Sequence, residues 1–208
     1  MPMRTLVLLL TLILTACGDQ KPADPPTEQP PADAPPAEQP APEPTRLDEL
    51  AAHASVGAAF SEGARAILAA PDRVTLHSIE PGVWREYGYG RNTEPTPLVH
   101  ALAAFREGKG VLGSLAVDAA DDRTVILEST YAGFIEVGPE AACYDPRHAL
   151  VYEQGEQTVI VFICFACHYA VVLEATTEKG RYTAFQDPEG LKKRLNAMLT
   201  DAGIALAK

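Results

Sequence analysis

Residues 18–45, GDQKPADPPTEQPPADAPPAEQPAPEPT, hold ten prolines, six acidic residues, one lysine and no large apolar side chain. Proline fixes φ and removes a backbone donor. A segment without apolar surface also has nothing to offset the entropy lost on ordering, so no part of a core is expected here. Mutual charge repulsion and proline density favour an extended polyproline II spacer, rising about 3.1 Å per residue and reaching about 80 Å in all. No basic or aromatic specificity residue accompanies the prolines, which favours a tether over a ligand for a proline-recognition domain. Whatever folds must be built from residues 46–208, a length suited to one domain with a single core.

Upstream of the tether, MPMRTLVLLLTLILTAC places Arg4 before a mostly apolar run from Thr5 to Ala16. That run is too short for a membrane-spanning helix, which needs about 20 residues, and reads as a signal peptide over residues 1–16. Its end, Leu14-Thr15-Ala16-Cys17, resembles the bacterial lipobox, in which the cysteine becomes the lipid-modified first residue of the mature chain. Cys17 is therefore the expected lipidation site, with residues 17–45 as lipidated cysteine and tether. Two or more acyl chains anchor stably where one is marginal, so the expected partner of this end is a lipid bilayer. Gly18, rather than an aspartate, follows the cysteine, which points to the outer membrane of a bacterial envelope, facing the periplasm.

The segment 46–208 carries 22 acidic and 15 basic residues. A net charge near −7 speaks against nucleic acid or an anionic lipid surface as its partner. Lys192, Lys193 and Arg194 form the single basic cluster, at positions expected on a solvated helix face.

Thr45 and Ser61 can each cap a helix, the second ending before Pro71. RVTLHSIEP alternates as a strand, a Gly- and Pro-rich loop with Trp84 follows, and GVLGSLAV (110–117) reads as a second strand. Asp118 is expected to cap a helix reaching about Glu136, with Leu127, Tyr131, Phe134 and Ile135 on one face. Strand character returns over 147–153 and over 157–174, taken as one continuous strand, with Gly155 between them. Asp187 as N-cap, Pro188 at N1, the stripe Leu191, Leu195, Met198, Leu199 and the stop at Gly203 mark a last helix. The expected fold class is α+β, a mainly antiparallel sheet with helices packed on at least one face.

Several stretches taken together are familiar: Leu76-His77-Ser78-Ile79-Glu80-Pro81, Gly110-Val111-Leu112-Gly113, Ala142-Cys143-Tyr144-Asp145-Pro146-Arg147-His148, Ile163-Cys164-Phe165-Ala166-Cys167 and Ala202-Gly203-Ile204. Over residues 72–208 the chain resembles a family of uncharacterised bacterial secreted proteins and lipoproteins with a C-x-x-P-R-H element followed by C-F-x-C. The resemblance implies an exported protein and brings no activity with it. It also implies that His168 is incidental, the residue after the second cysteine being variable in that family.

Three cysteines remain for the domain, Cys143, Cys164 and Cys167, and an exported chain meets an oxidising compartment in which a disulfide is expected. Cys164-Phe165-Ala166-Cys167-His168 also spells the c-type haem attachment pattern. Haem is disfavoured because the motif sits in a β-rich run, where Cys167 and His168 would face opposite sides. Cys143, His148, Cys164 and Cys167 have near zinc-ribbon spacing but lack the turn residues that make thiolates converge. A thioredoxin-like dithiol would have to open a helix, and HYAVVLEATTEKG is not helical. Cys143 beside Arg147 and His148 is the single candidate for a reactive thiolate. With no G-x-S-x-G, H-E-x-x-H or phosphate-loop pattern, no catalytic residue and no cofactor are assigned.

The disulfide expectation follows from hairpin register. A three-residue loop at 154–156 pairs Glu153 with Gln157 and avoids opposing Glu153 to Glu156. Extended outward, that register sets Cys143 opposite Cys167, within bridging distance, and leaves Cys164 reduced. His53, His77 and His100 are isolated and are expected at surface or satisfied positions. Arg147 and His148 are expected to be structural hydrogen-bonding residues at the sheet end. The leading functional expectation is a tethered, non-enzymatic envelope lipoprotein that binds an unidentified protein or small-molecule ligand or acts structurally. Its rival is a zinc- or haem-binding envelope protein using the Cys143, His148, Cys164, Cys167 and His168 cluster.

Overall fold

The computed structural model of the chain describes residues 43–83, 98–135, 145–174, 181–188 and 190–208. Trp84, Glu136 and Cys143 lie outside these residues. Helix α1 (Arg46–Ala51) opens with a capping box in which the Thr45 side chain and Asp48 serve each other's backbone. In α2 (Ala54–Ala59) the His53 ring accepts the Ser55 N–H, and in α3 (Glu62–Ala69) Ser61 caps the Ala64 N–H. Both caps expected at Thr45 and Ser61 are therefore formed.

The strands are β1 (Arg73–Ile79), β2 (Val111–Ala116), β3 (His148–Gln154), β4 (Gln157–Cys164), β5 (Tyr169–Glu174) and β6 (Arg181–Ala184). They form one antiparallel sheet of order β2-β1-β3-β4-β5-β6. Among the described residues the remaining helices are α4 (Leu98–Arg106), α5 (Ala120–Ile135) and α6 (Leu191–Asp201). The chain is thus α+β with a mainly antiparallel sheet, as its periodicities indicate.

Both faces of the sheet are covered, which explains why β4 reads as a continuous apolar run rather than an alternation. On one face Leu76, Leu150, Val161 and Val172 pack against α2, α3, α5 and α6 through Phe60, Leu68, Ile126, Phe134 and Leu195. On the other, Ile79, Val151, Phe162 and Val171 pack with Ala104 and Phe105 of α4. Phe60, Phe134 and Phe185 interlock edge to face, with ring centroids 5.0 and 5.1 Å apart, and tie α2 and α5 to the segment after β6.

Three local expectations are corrected. The hairpin joining β3 to β4 turns on two residues, Gly155 and Glu156, so Gln154 pairs with Gln157 and His148 with Ile163. Gly155 adopts φ 56°, as the first central position of a primed hairpin turn demands, and Glu153 meets Thr158 rather than another carboxylate. The register is therefore one residue away from that of a three-residue loop, and a one-residue slip exchanges the faces of every side chain on one strand relative to its neighbour. Residues 157–174 are two strands, since the chain reverses between Cys164 and Tyr169. Helix α6 starts at Leu191 behind Gly190, three residues later than an N-cap at Asp187 would set it, and Asp187 accepts the first-turn Lys192 N–H at 3.0 Å from outside the N-cap position.

Candidate functional site

The reversal between β4 and β5 is made by Phe165-Ala166-Cys167-His168, with His168 in the left-handed region at φ 55°. Histidine is one of the few side chains found there with any frequency. The Cys167 N–H donates to the Cys164 carbonyl at 3.3 Å, and the two sulphurs form a disulfide across a Cα separation of 5.4 Å. The expected Cys143–Cys167 bridge with a reduced Cys164 is thereby corrected. On a continuous strand, residues three apart stand about 10 Å from one another, and the turn removes that separation.

The turn straddles the end of the sheet. Cys164 and Cys167 are fully buried in the cluster with Phe162 and Val171, and the Cys164 sulphur accepts the Asp145 N–H at 3.3 Å. Phe165 points to the other face, its ring 5.3 Å from that of His148 and 5.9 Å from that of Phe185. Of the five residues grouped as possible zinc or haem ligands, Cys164 and Cys167 are bonded to each other, with His168 following them in the turn. His148 pairs with Ile163 and so lies on the face opposite Cys164, and Cys143 is outside the described residues. Among the described residues no three His, Cys, Asp or Glu side chains are placed to hold a metal ion.

His148 is buried, and its Nε2 lies 2.7 Å from the Asn196 Oδ1 on α6, which ties β3 to the last helix. Burial pushes its pKa down, the Asn196 hydrogen bond offsets part of this, and Lys192 and Arg147 add to the depression. His77, on the opposite face, has Nδ1 2.8 Å from the Ser114 hydroxyl, its cross-strand neighbour, and its ring 4.6 Å from that of Phe105. Burial pushes the His77 pKa down to about 4, so the ring is neutral near neutral pH. Ser114 is an exposed residue beside this ring, but a base so far below neutrality gives its hydroxyl little activation. His53 is a helix cap and His100 an exposed residue of α4. Asn196, Ser114 and Phe105 had no signal of their own in the sequence, because the first two meet their histidines across 48 and 37 residues.

The described residues line two concavities that are open to solvent. One of about 250 Å³ lies between α1, the end of α3 and the start of α5, lined by Leu47, Leu68, Arg123 and Tyr152. The other, of about 420 Å³, lies between Glu80–Gly82, Leu112 and the segment 205–208. Neither is lined by a histidine or a cysteine. No protein-family model, curated protein or solved structure matches the chain.

Chemically, the turn holds a cross-link out of contact with water, and the buried imidazoles hold neutral hydrogen bonds. Replacing both Cys164 and Cys167 with alanine is expected to cost about 2 kcal/mol, the value for closing so short a loop. Mass analysis of the alkylated, unreduced chain should place the bond between Cys164 and Cys167. A Cys143 to Cys167 link in that digest would instead restore the extended-strand reading.

Proposed function

We propose that the protein is a bacterial envelope lipoprotein, anchored in the membrane through Cys17, whose folded unit is a non-enzymatic binding or structural domain. The observation that carries this reading is the enclosed Cys164–Cys167 disulfide. Such bonds form and persist in oxidising compartments outside the cytosol, where an apolar leader ending in Cys17 would deliver the chain. The Pro-rich residues 18–45 then hold the domain away from the bilayer while it engages a protein or small-molecule ligand in the envelope. The likeness to secreted proteins with paired C-x-x-P-R-H and C-F-x-C elements belongs to the same reading. A zinc or haem role would require the disulfide to be reduced, and a zinc site using His148 would also have to recruit ligands from both faces of the sheet.

Replacing Cys17 with alanine is expected to move the protein out of the membrane fraction or leave its leader uncleaved. Normal processing and full membrane retention of that variant would refute the anchor.

A further inference from the structure

The two edges of the sheet differ. β6 is four residues long, half-buried throughout, and begins with Arg181, whose Nη1 donates to the Ala58 carbonyl at 3.2 Å. β2 is six residues long, carries no charge and no proline, and leaves alternate residues, Leu112, Ser114 and Ala116, exposed. Charges, prolines and shortness are the devices that keep sheet edges from pairing with other chains. Of these β2 has none; its one irregularity is a bulge that leaves Leu112 without a partner on β1, between the pairs Gly113–Ser78 and Val111–Ile79. Leu112, 41% exposed, is one of two large apolar side chains exposed among the described residues, and the other, Leu206, lines the same concavity.

The backbone direction is also fixed. The Val117 N–H donates inward to the Val74 carbonyl at 2.9 Å, so by the alternation of an antiparallel ladder Ser114 and Ala116 direct their N–H and C=O groups outward. Among the described residues no strand pairs with that edge.

We infer that β2 is a homodimerisation edge, pairing antiparallel with β2 of a second copy about a two-fold axis at Ser114 to make one continuous sheet. A symmetric antiparallel pair must place one residue opposite itself, because hydrogen-bonded and non-bonded pairs alternate along the ladder. With Ser114 on the axis, Leu112 of each copy faces Ala116 of the other, so the three exposed positions cover one another and no like charges are opposed. Antiparallel association also brings the end carrying exposed Lys109 against the end carrying Asp118, whose side chain is 88% exposed, and does so twice. A parallel arrangement would oppose like ends, and a β6 partner would meet Arg181.

The test is the mass of the full chain in density-matched detergent at micromolar concentration, measured by sedimentation. The parent should have twice the chain mass. The Leu112→Lys/Ala116→Lys variant, which opposes like charges at both pairs, should have the monomer mass and the far-ultraviolet spectrum of the parent, and should melt no higher than the parent, because each copy keeps its fold while the stabilisation by association is lost. Leu112→Lys/Ala116→Glu, which opposes lysine to glutamate twice in this register, should recover the dimer and shows that two charges on this edge are tolerated by the fold. A monomeric parent, a dimeric Lys/Lys variant, or a Lys/Glu variant that stays monomeric each overturns the inference.

Discussion

Gly133→Ala is expected to destabilise the protein by about 2 kcal/mol, and so to lower its melting temperature by about 4 to 8 °C. Local preference alone points the other way, since alanine is favoured over glycine within a helix by about 1 kcal/mol. Packing decides the sign. A Cβ on Gly133 would lie 2.5 Å from the Phe185 Cζ and 2.9 Å from the Gln186 carbonyl oxygen. The Gln186 N–H already donates to the Gly133 carbonyl at 2.9 Å, so α5 and this segment are held at close approach. Phe185 cannot swing aside freely, because Phe134 and Phe165 flank its ring. Overpacking of this kind costs up to about 3 kcal/mol, which exceeds the helical gain. Gly57→Ala in α2, where an added Cβ meets nothing within 4 Å, serves as the matched control and should be neutral or stabilising. A Gly133→Ala protein that melts with its parent would show that the contact with Phe185 relaxes at no cost.

Acid should weaken the fold well above the range in which carboxylates titrate. His77 has an ordinary pKa of 6.5 in the unfolded chain and about 4 in the folded one. Between these values the unfolded chain takes up a proton that the folded chain refuses, so stability falls as pH falls, by about 1.4 kcal/mol per unit. The loss attributable to His77 approaches about 3 kcal/mol near pH 4, and below that it stops growing because both states are protonated. His148, also depressed by burial, adds in the same direction. Denaturant unfolding at pH 7 and pH 4.5 should show the decline, and His77→Asn, which keeps a polar partner for Ser114, should remove the His77 share. An unchanged pH slope in that variant would place the acid sensitivity elsewhere.

Much of the architecture could be read from local signals. Thr45 and Ser61 cap helices by side-chain hydrogen bonds to nearby N–H groups, and the alternation of Arg73–Ile79 and Val111–Ala116 marks two strands. Leu127, Tyr131 and Phe134 fall on the buried side of α5, as their spacing requires. The turn at 165–168 was hidden because Phe, Ala, Cys and His are not turn formers, while β-branched and aromatic residues flank them on both sides. The reversal is imposed by tertiary contacts, with Phe165 drawn to one face and the disulfide to the other. The hairpin register missed by one residue because loops of two and three residues at Gly155 both avoid opposed glutamates, and charge alone does not choose between them. Helices α2 and α4 and strand β6 were also unread. β6 is only four residues long, and its partner β5 supplies the ladder that defines it.

The sheet order also fixes when folding can finish. β3, β4, β5 and β6 each pair with the strand next to them in sequence, a meander whose contacts are local. β1 is different, since it lies between β2 and β3, and Arg73 meets Glu153 across 80 residues. Pairings of such sequence separation close late, because the intervening loop must be ordered before the contact contributes anything. During synthesis, α1, α2, α3, β1 and β2 emerge with one edge of β1 still lacking its neighbour, exposed to the wrong partners until residue 154 has been added. A chain arrested before that point carries an open edge at the centre of its future sheet, whereas a fragment starting at residue 145 retains four consecutively paired strands.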